Sequence, residues 1–583
     1  MNYQQLDVLS ALLESPYAGQ RALSDACGHS LGAVNNALKR LVELGYLNQD
    51  FQPTESARSL ARKPKNAVIL AAGFGMRMVP INMEVPKGLL EVHGKPLVER
   101  LIGQLKQAGV ENIHIVVGFM KEQFEYLIDE FGVELIYNPD YASKNNLHSL
   151  KLALPQLSDA YILPSNIWCR ENPFRSQELY SWYMMTDRQT PDSQVRPGRD
   201  RSLVRVPAGK TGNSTLGIGY VTAQDGDALR QAITRLCSDS RQDGSSWEEA
   251  LWDIRLCGRT VDADQAVVIN TYEQLRELDS HSGQLQSAAI DAIMESLQAK
   301  SHQITDITVL KKGMTNRSFL FSCKGKRYIM RIPGEGTDQL INRAQEADVY
   351  RAIAPENLCD NIAYINPENG YKITEFLEGA RVCDPEDPED IRLCMARLRQ
   401  FHEKGLQVDH TFDIFGQIAF YESLWGGKPS CFRDYKKTKE KVLNLKAYID
   451  SQEKAWCLTH IDAVPDNFLF CQDSQIRLID WEYAGMQDPH VDIAMFCIYA
   501  MYDRPQVERL IDAYFPEGCP EPVRTKIYCY ISACGLLWSN WCEYKRQLGV
   551  EFGEYSLRQY RFAKEYYQIA TRRMEEGATQ CTK

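Results

Sequence analysis

The feature that most limits what this chain can fold into is a short apolar run, Ala67-Val68-Ile69-Leu70. It passes directly into Ala71-Ala72-Gly73-Phe74-Gly75-Met76-Arg77, and Pro86-Lys87 follows. The run reads as a buried strand. The small residues after it let the backbone turn sharply and approach a ligand closely. Backbone N–H groups in such a turn bind phosphate oxygens, so Leu70, Ala72, Gly73 and Gly75 are candidate nucleotide contacts. Arg77 and Lys87 add fixed positive charge and are the candidate catalytic cations of this stretch. Two glycines after a strand are a weak signal alone, and a plain strand–turn is the alternative. The complete string, with its arginine and Pro-Lys pair, is much more specific.

At 583 residues the chain is too long for one core, and roughly two to four domains are expected. Hydrophobic content of 44% and charged content of 25% are ordinary for globular proteins. No segment approaches about 18 uninterrupted apolar residues, so no membrane span is expected. Met1-Asn2-Tyr3-Gln4-Gln5 has no basic region leading into an apolar core, so no signal peptide is expected. The 17 cysteines are scattered, without paired CxxC or a His/Cys cluster at zinc spacing. That pattern fits reduced thiols in a cytoplasm. A net charge of −11 argues against general nucleic-acid binding.

After the short polar hinge Ala61–Lys65, strands and helices alternate. Leu97–Ala108 reads as an amphipathic helix capped by Gly109. Ile113–Val117 reads as a strand, Lys121–Glu130 as a helix and Val133–Tyr137 as a strand. Repeated βαβ units imply a mostly parallel, doubly wound α/β sheet. Ligands of such sheets sit at the carboxyl ends of the strands, where Gly73–Arg77 lies. The strand–AAGxGxR–PK string resembles the signature of nucleotidyltransferases that make nucleotide-activated sugars and alcohols. Over residues 66–280 the chain resembles the phosphocholine cytidylyltransferases among them. The resemblance implies that Asn145 and Ser149, in Asn145-Asn146-Leu147-His148-Ser149-Leu150, line the nucleotide pocket. The alternative is an asparagine-capped helix start. It also implies that the strand Tyr161–Pro164 ends in an aspartate holding Mg²⁺, with a second metal position near Ile269-Asn270-Thr271. Here the first position is Asn166, a departure from the family, whereas Asn270 is within its range. An amide supplies an oxygen but no charge. Gly212–Val221 reads as a substrate-facing hairpin. Trp247 and Glu248 are candidate choline contacts, because a ring face beside a carboxylate suits a trimethylammonium group; otherwise Trp247 is core.

Residues 280–303 read as a polar, helix-prone connector, and a new fold opens after it, over residues 300–583. Val309–Phe319 reads as strand, loop, strand, with Asn316 as a nucleotide contact, and Lys326–Gly334 reads as the next strand. The decisive cluster is Leu458-Thr459-His460-Ile461-Asp462-Ala463-Val464-Pro465-Asp466-Asn467, followed by Ile476-Arg477-Leu478-Ile479-Asp480-Trp481-Glu482. Two short strands flanking Cys471–Gln475 form a hairpin that brings Asn467 and Asp480 together. Both suit Mg²⁺ on ATP phosphates, while Asp462 accepts the proton of an attacking hydroxyl. His460 reads as a buried brace for the loop. The set resembles choline and ethanolamine kinases and, more distantly, aminoglycoside phosphotransferases. It implies that Arg331 takes the phosphate-binding position, that Glu346 pairs with it, and that Ile373–Gly379, with Glu375, is the adenine hinge. Choline cannot donate N–H hydrogen bonds, so an aromatic box suits it. Trp538, Trp541 and Tyr544, with Trp481 and Glu482, are the candidates, although Trp538 and Trp541 also sit at core helical spacing.

Residues 1–63 carry apolar stripes at Leu6, Val8, Leu9, Leu12 and Leu13 and at Val34, Leu38, Leu41 and Val42, then Gly45 and an extended stretch. They resemble a winged helix-turn-helix. Six basic residues balance six acidic ones there, which favours docking or regulation over DNA binding. The expected architecture is therefore multidomain. It comprises a small winged-helix module, an α/β doubly wound nucleotidyltransferase domain and an α+β protein-kinase-like choline kinase domain. The expected function is bifunctional, with ATP and choline giving phosphocholine, then CTP and phosphocholine giving CDP-choline and pyrophosphate. The alternatives are ethanolamine or another amino alcohol as substrate, or a winged-helix regulator that senses nucleotide or choline.

Overall fold

The structure, a computed structural model, describes residues 1–75, 78–83, 85–198, 200–207, 209–310, 316–334, 340–547 and 552–581. The candidate Arg77 and the side chain of Asn316 lie outside the described residues. The chain forms two compact units, Met1–Asp291 and Ala292–Lys583.

The first unit is built on a seven-stranded sheet. Its order is Cys257–Val261, Trp182–Thr190, Gly212–Val221, Ala160–Pro164, Asn66–Leu70, Asn112–Val117 and Glu134–Tyr137. Asn66–Leu70 lies parallel between its neighbours, with Ala67 opposite Ile113 and Tyr161. Gly212–Val221 runs antiparallel to both of its own neighbours. Alternate residues of the central strand enter opposite cores, Ala67 and Ile69 on one face, Val68 and Leu70 on the other. Both faces are covered, which is why the strand reads as an unbroken apolar run. Helix Leu97–Gln107 buries Leu97, Val98, Leu101, Ile102 and Leu105 along one stripe and stops before Gly109, at φ +80°. The expected helix Lys121–Glu130 is broken into a 3₁₀ turn, Lys121–Phe124, and a helix, Tyr126–Phe131. Phe124 and Leu127 are both fully buried three residues apart, a spacing that the tighter turn stacks on one side.

Helices Tyr3–Glu14, Gln20–Cys27 and Leu31–Glu43 form the N-terminal module around Leu9, Val34, Leu38 and Leu41. Its wing is reduced to one bridge, Leu47 to Pro53. The segment expected to be a hinge is pinned instead. Arg62 and Glu178 exchange two backbone hydrogen bonds of 2.8 Å. Polar side chains complete the dock: Tyr180 donates to Asp7 at 2.6 Å and Arg175 to Ser10 at 2.9 Å, and Arg201 pairs with Asp7. The module is thus part of the transferase unit rather than a swinging arm.

The second unit opens with an antiparallel sheet in the order Ile304–Val309, Asn316–Cys323, Lys326–Pro333, Lys372–Glu375 and Ile362–Ile365, and helix Arg343–Ile353 follows its third strand in the chain. A mostly helical lobe follows. At its centre, helix Glu521–Gln547 is buried without a break from Thr525 to Lys545, as expected of a helix surrounded by others. The hairpin Phe468–Phe470 and Ile476–Leu478 forms with Phe468 opposite Leu478. Among the described residues no helix is long and apolar enough to cross a membrane.

One glycine ties the first fold to its loop. A Cβ on Gly118 would stand 2.6 Å from Tyr141 Cβ and 2.9 Å from the Ala72 carbonyl oxygen. Gly118→Ala is expected to destabilise the chain by about 1–3 kcal/mol through overpacking, read as a lowered Tm in thermal unfolding.

Candidate active sites

In the first unit the turn after the central strand is clamped from inside. Asn82, fully buried, donates from its amide nitrogen to the carbonyl oxygens of Phe74 and of Gly75, the latter at 3.0 Å. Gly75 lies at φ +72°, and a Cβ there would meet the Lys87 side chain at 3.3 Å. Lys87 therefore lies across the glycine turn. Its neighbour Gly88 presses on Ser165, with 2.8 Å available to a Cβ. The glycine turn, the lysine and the end of strand Ala160–Pro164 thus converge.

At that strand end Asn166 is 2% exposed. Its amide nitrogen donates to the Ile269 carbonyl at 2.7 Å and to Asn270 Oδ1 at 3.2 Å. A carbonyl can only accept, so the orientation of the Asn166 amide is set. The expected pair is brought together, but as two neutral amides bonded to each other. Without a carboxylate they do not fit a self-sufficient divalent-cation site. Glu248 is brought to the same strand end, because the Gly217 Cβ position is 3.2 Å from Pro164 and 3.8 Å from Glu248 Oε1. Tyr183 donates to Glu248 at 3.0 Å, burial raises the carboxyl's pKa, and Oε2 has no hydrogen-bond partner. Trp247 is corrected to core: it is 1% exposed and packs on Tyr183. Asn145 and Ser149 are likewise committed to structure. Asn145 caps helix Asn146–Lys151 and donates to the Gly244 carbonyl at 2.9 Å, while Ser149 accepts from Asn138 at 3.0 Å.

In the second unit a cavity of about 410 Å³ is lined by Arg331, Lys372, Asp462, Asn467, Asp480 and Glu482 at its polar end. Asp480 stands at φ +65° and Ile461 at φ +67°. A β-branched residue in that region is strained, and such strain persists where surroundings over-determine it. Asp492, fully buried, supplies the determination. It accepts from the backbone N–H of His460 at 2.9 Å and of Ile461 at 2.7 Å, and bonds His402 at 2.9 Å. His460 is buried, its pKa lowered by burial, and it bonds the Ile479 carbonyl at 3.0 Å. It braces the loop. Asn467 donates to Asp462 Oδ2 at 3.2 Å. Burial, then the charges of Asp480 and Glu482, push the Asp462 carboxyl up to about 8. A carboxyl raised by its neighbours' negative charge is what an approaching cation would relieve.

Arg331 bonds Glu346 at 2.6 Å and approaches Glu482 and Asp480 at 3.5 and 3.6 Å. Burial pushes the Glu346 carboxyl up, but Arg331, Lys372 and Arg343 outweigh it and hold it at about 2. Glu346 therefore orients the arginine and does not line the cavity. Glu375 does not line it either. Lys326 at 2.6 Å and Asn361 at 3.1 Å engage its side chain, and Thr374 beside it faces the cavity instead.

The apolar end of the cavity is lined by Tyr483, Tyr499, Trp538, Trp541 and Tyr555. Trp538 lies edge-on to Tyr483 at 5.8 Å and to Trp541 at 5.3 Å. Trp481 and Tyr544 are corrected. Trp481 is fully buried, donates to the Leu478 carbonyl at 2.8 Å and packs on Phe401 and His460, so it is core. Tyr544 is buried outside the cavity lining. Asp360, Tyr499 and Tyr555 are not legible as site residues, because each comes from a different element with no motif around it, whereas Lys372 immediately precedes the Ile373–Gly379 stretch.

The two sites define a nucleotidyltransferase joined to a kinase-like phosphotransferase. Family models agree along the chain: winged helix-turn-helix DNA-binding over residues 1–48, MobA-like NTP transferase domain over 67–165, and choline/ethanolamine kinase over 307–514. A choline-phosphate cytidylyltransferase of Haemophilus influenzae is 33% identical over 179 residues, 30% of this chain and 77% of that protein. A 2-aminoethylphosphonate cytidylyltransferase of Lancefieldella rimae is 32% identical over 224 residues, 37% of this chain and 88% of that one. Protein LicA of Haemophilus influenzae is 27% identical over 263 residues, 42% of this chain and 95% of that one. The chain belongs to the choline-phosphate cytidylyltransferase family of nucleotidyltransferases, fused to a choline/ethanolamine kinase domain and preceded by a winged helix-turn-helix.

Asp492 generates a prediction of its own. Asp492→Ala leaves the backbone N–H groups of His460 and of the left-handed Ile461, and His402, without their acceptor. It is expected to lower unfolding stability by about 3 kcal/mol or more, measured by urea denaturation.

Proposed function

We propose that the kinase unit phosphorylates choline from ATP and that the transferase unit joins the resulting phosphocholine to CTP, releasing pyrophosphate and CDP-choline. One observation carries the reading: the aromatic wall of Tyr483, Trp538, Trp541 and Tyr555 shares a single cavity with Asp462, Asn467 and Asp480. A quaternary ammonium is held by ring faces rather than by N–H acceptors, and its hydroxyl then points to the polar end. There Asp462 takes the hydroxyl proton as oxygen attacks the γ-phosphorus and the bond to the β,γ-bridging oxygen breaks, ADP leaves, and Arg331 with Lys372 stabilises the charge on the phosphates. Asn467 and Asp480 are the residues that would hold Mg²⁺. Bound there, the ion supplies positive charge to the ATP phosphates and draws the Asp462 carboxyl down from about 8.

In the transferase unit the glycine turn and Lys87 hold the triphosphate, and Glu248 faces the cationic end of phosphocholine. A phosphate oxygen of phosphocholine attacks the α-phosphorus of CTP, and pyrophosphate leaves against Lys87. No step is assigned to a cation at Asn166 and Asn270. Substrate ATP and CTP suit a cytoplasmic enzyme.

Two measurements test the reading. Asp462→Ala is expected to reduce the choline-dependent kcat at least about 10²-fold, since it removes the base; near-normal turnover in a coupled ADP assay would overturn its role. Asn166→Asp restores a carboxylate at the strand end and is expected to raise kcat for CTP plus phosphocholine roughly 10- to 10³-fold, with a smaller change in affinity. Pyrophosphate release by the two forms decides it. Equal rates mean that position 166 takes no part in catalysis.

A further inference from the structure

Where the N-terminal module meets the transferase sheet, a cavity of about 690 Å³ opens. Asp7, Cys27 and Gly28 line it on the module side, and Trp182, Met184 and Arg259 line it on the sheet side. Neither Asn166 nor Glu248 reaches it. Trp182 and Met184 belong to one core face of their strand, whereas Tyr183 and Met185 belong to the other, with Trp247. The cavity and the Glu248 site thus lie on opposite faces of one strand.

Its sheet side carries Arg259 and Arg175 beside the buried Glu178. The Arg259 guanidinium lies over the Trp182 ring at 4.7 Å, and its Nη1 is buried without a hydrogen-bond partner. Glu178 Oε1, its ion-pair partner, is 3.7 Å away and already accepts from Tyr161 at 3.0 Å. Burial raises the Glu178 pKa, which weakens it further as a counter-ion. Burial, then the nearby charge of Arg175, lowers the pKa of Arg259. A buried guanidinium donor without an acceptor is costly, and an oxyanion relieves it. The mouth of the same cavity carries exposed carboxylates on Asp25, Glu171 and Asp262.

We propose that this cavity is a second ligand site, for a small zwitterion. A phosphate or carboxylate lies on Arg259 and Arg175, and an ammonium faces Asp25, Glu171 and Asp262. Residues of the module and of the transferase line it together, so occupancy strengthens the dock between them. The strand Trp182–Thr190 leads from the site to Tyr183 and Glu248. This inference does not depend on the choline reading.

The test uses the full chain labelled with 5-fluorotryptophan. Trp182→Phe assigns the Trp182 signal among the nine tryptophans. Phosphoethanolamine, glycine and inorganic phosphate are titrated at constant ionic strength to ~10 mM, well into the range where millimolar affinity saturates. The expected result is a saturable ¹⁹F shift of Trp182 with phosphoethanolamine or glycine, and the stronger of the two identifies the oxyanion. Arg259→Gln should weaken it at least about tenfold, the loss of one charged hydrogen bond. Glu171→Gln with Asp262→Asn changes only exposed residues, so folding is retained if Arg259→Gln proves unstable. It should weaken both zwitterions while sparing inorganic phosphate. A Trp182 signal that no probe moves, or that moves equally in all variants, overturns the site. A shift with inorganic phosphate as large as with either zwitterion overturns the ligand class.

Discussion

Asp492 has no exposed surface, yet two backbone N–H groups and an imidazole converge on it. Burying a carboxylate is tolerable only when donors replace its water. Here two of the donors, the backbone N–H groups of His460 and Ile461, belong to the loop that carries Asp462, and the third, His402, comes from a distant helix, so satisfying the charge also positions Asp462. The left-handed backbone at Ile461 and Asp480 is held against its own preference by this network. The same constraint recurs at Arg331, whose charge is shared among Glu346, Glu482 and Asp480. It recurs again at Asp7, which docks the N-terminal module through Tyr180 and Arg201.

The two active sites handle charge in opposite ways. The kinase cavity is lined by five carboxylates, Asp360, Asp462, Asp466, Asp480 and Glu482, and burial raises two of them, Asp360 and Asp462, the latter to about 8. The transferase strand end has no carboxylate at Asn166 or Asn270, and those amides satisfy each other. Lys87 lies across the glycine turn there, and Asn82 holds that turn. Fusing the two puts an acid-rich phosphotransferase and a cation-poor nucleotidyltransferase on one chain.

Much was legible before any coordinates. The run Ala67–Leu70 carries its own assignment, because four apolar residues followed by small ones have few other uses in a large globular chain. The spacing from His460 to Asp480 likewise places loop, hairpin and strand in sequence-local order, and His460 is the brace it was read to be. Corrections fall on isolated aromatic residues. Trp247 and Trp481 have the right chemistry, but a ring serves core and site equally well in sequence.

The sequence by itself determined the strand and glycine turn that open the transferase, the spacing of Asp462, Asn467 and Asp480, and the division into module, transferase and kinase. Local hydrogen bonding and hydrophobic periodicity act over a few residues and are written there. Only the tertiary structure decided that Tyr483, Tyr499, Trp538, Trp541 and Tyr555 share one cavity with Asp462. It alone showed that Asp492 holds the loop of Asp462, and that Arg259 lies half-buried over Trp182. Those relations join residues tens to hundreds of positions apart, and only the packing of whole elements sets which of their side chains meet.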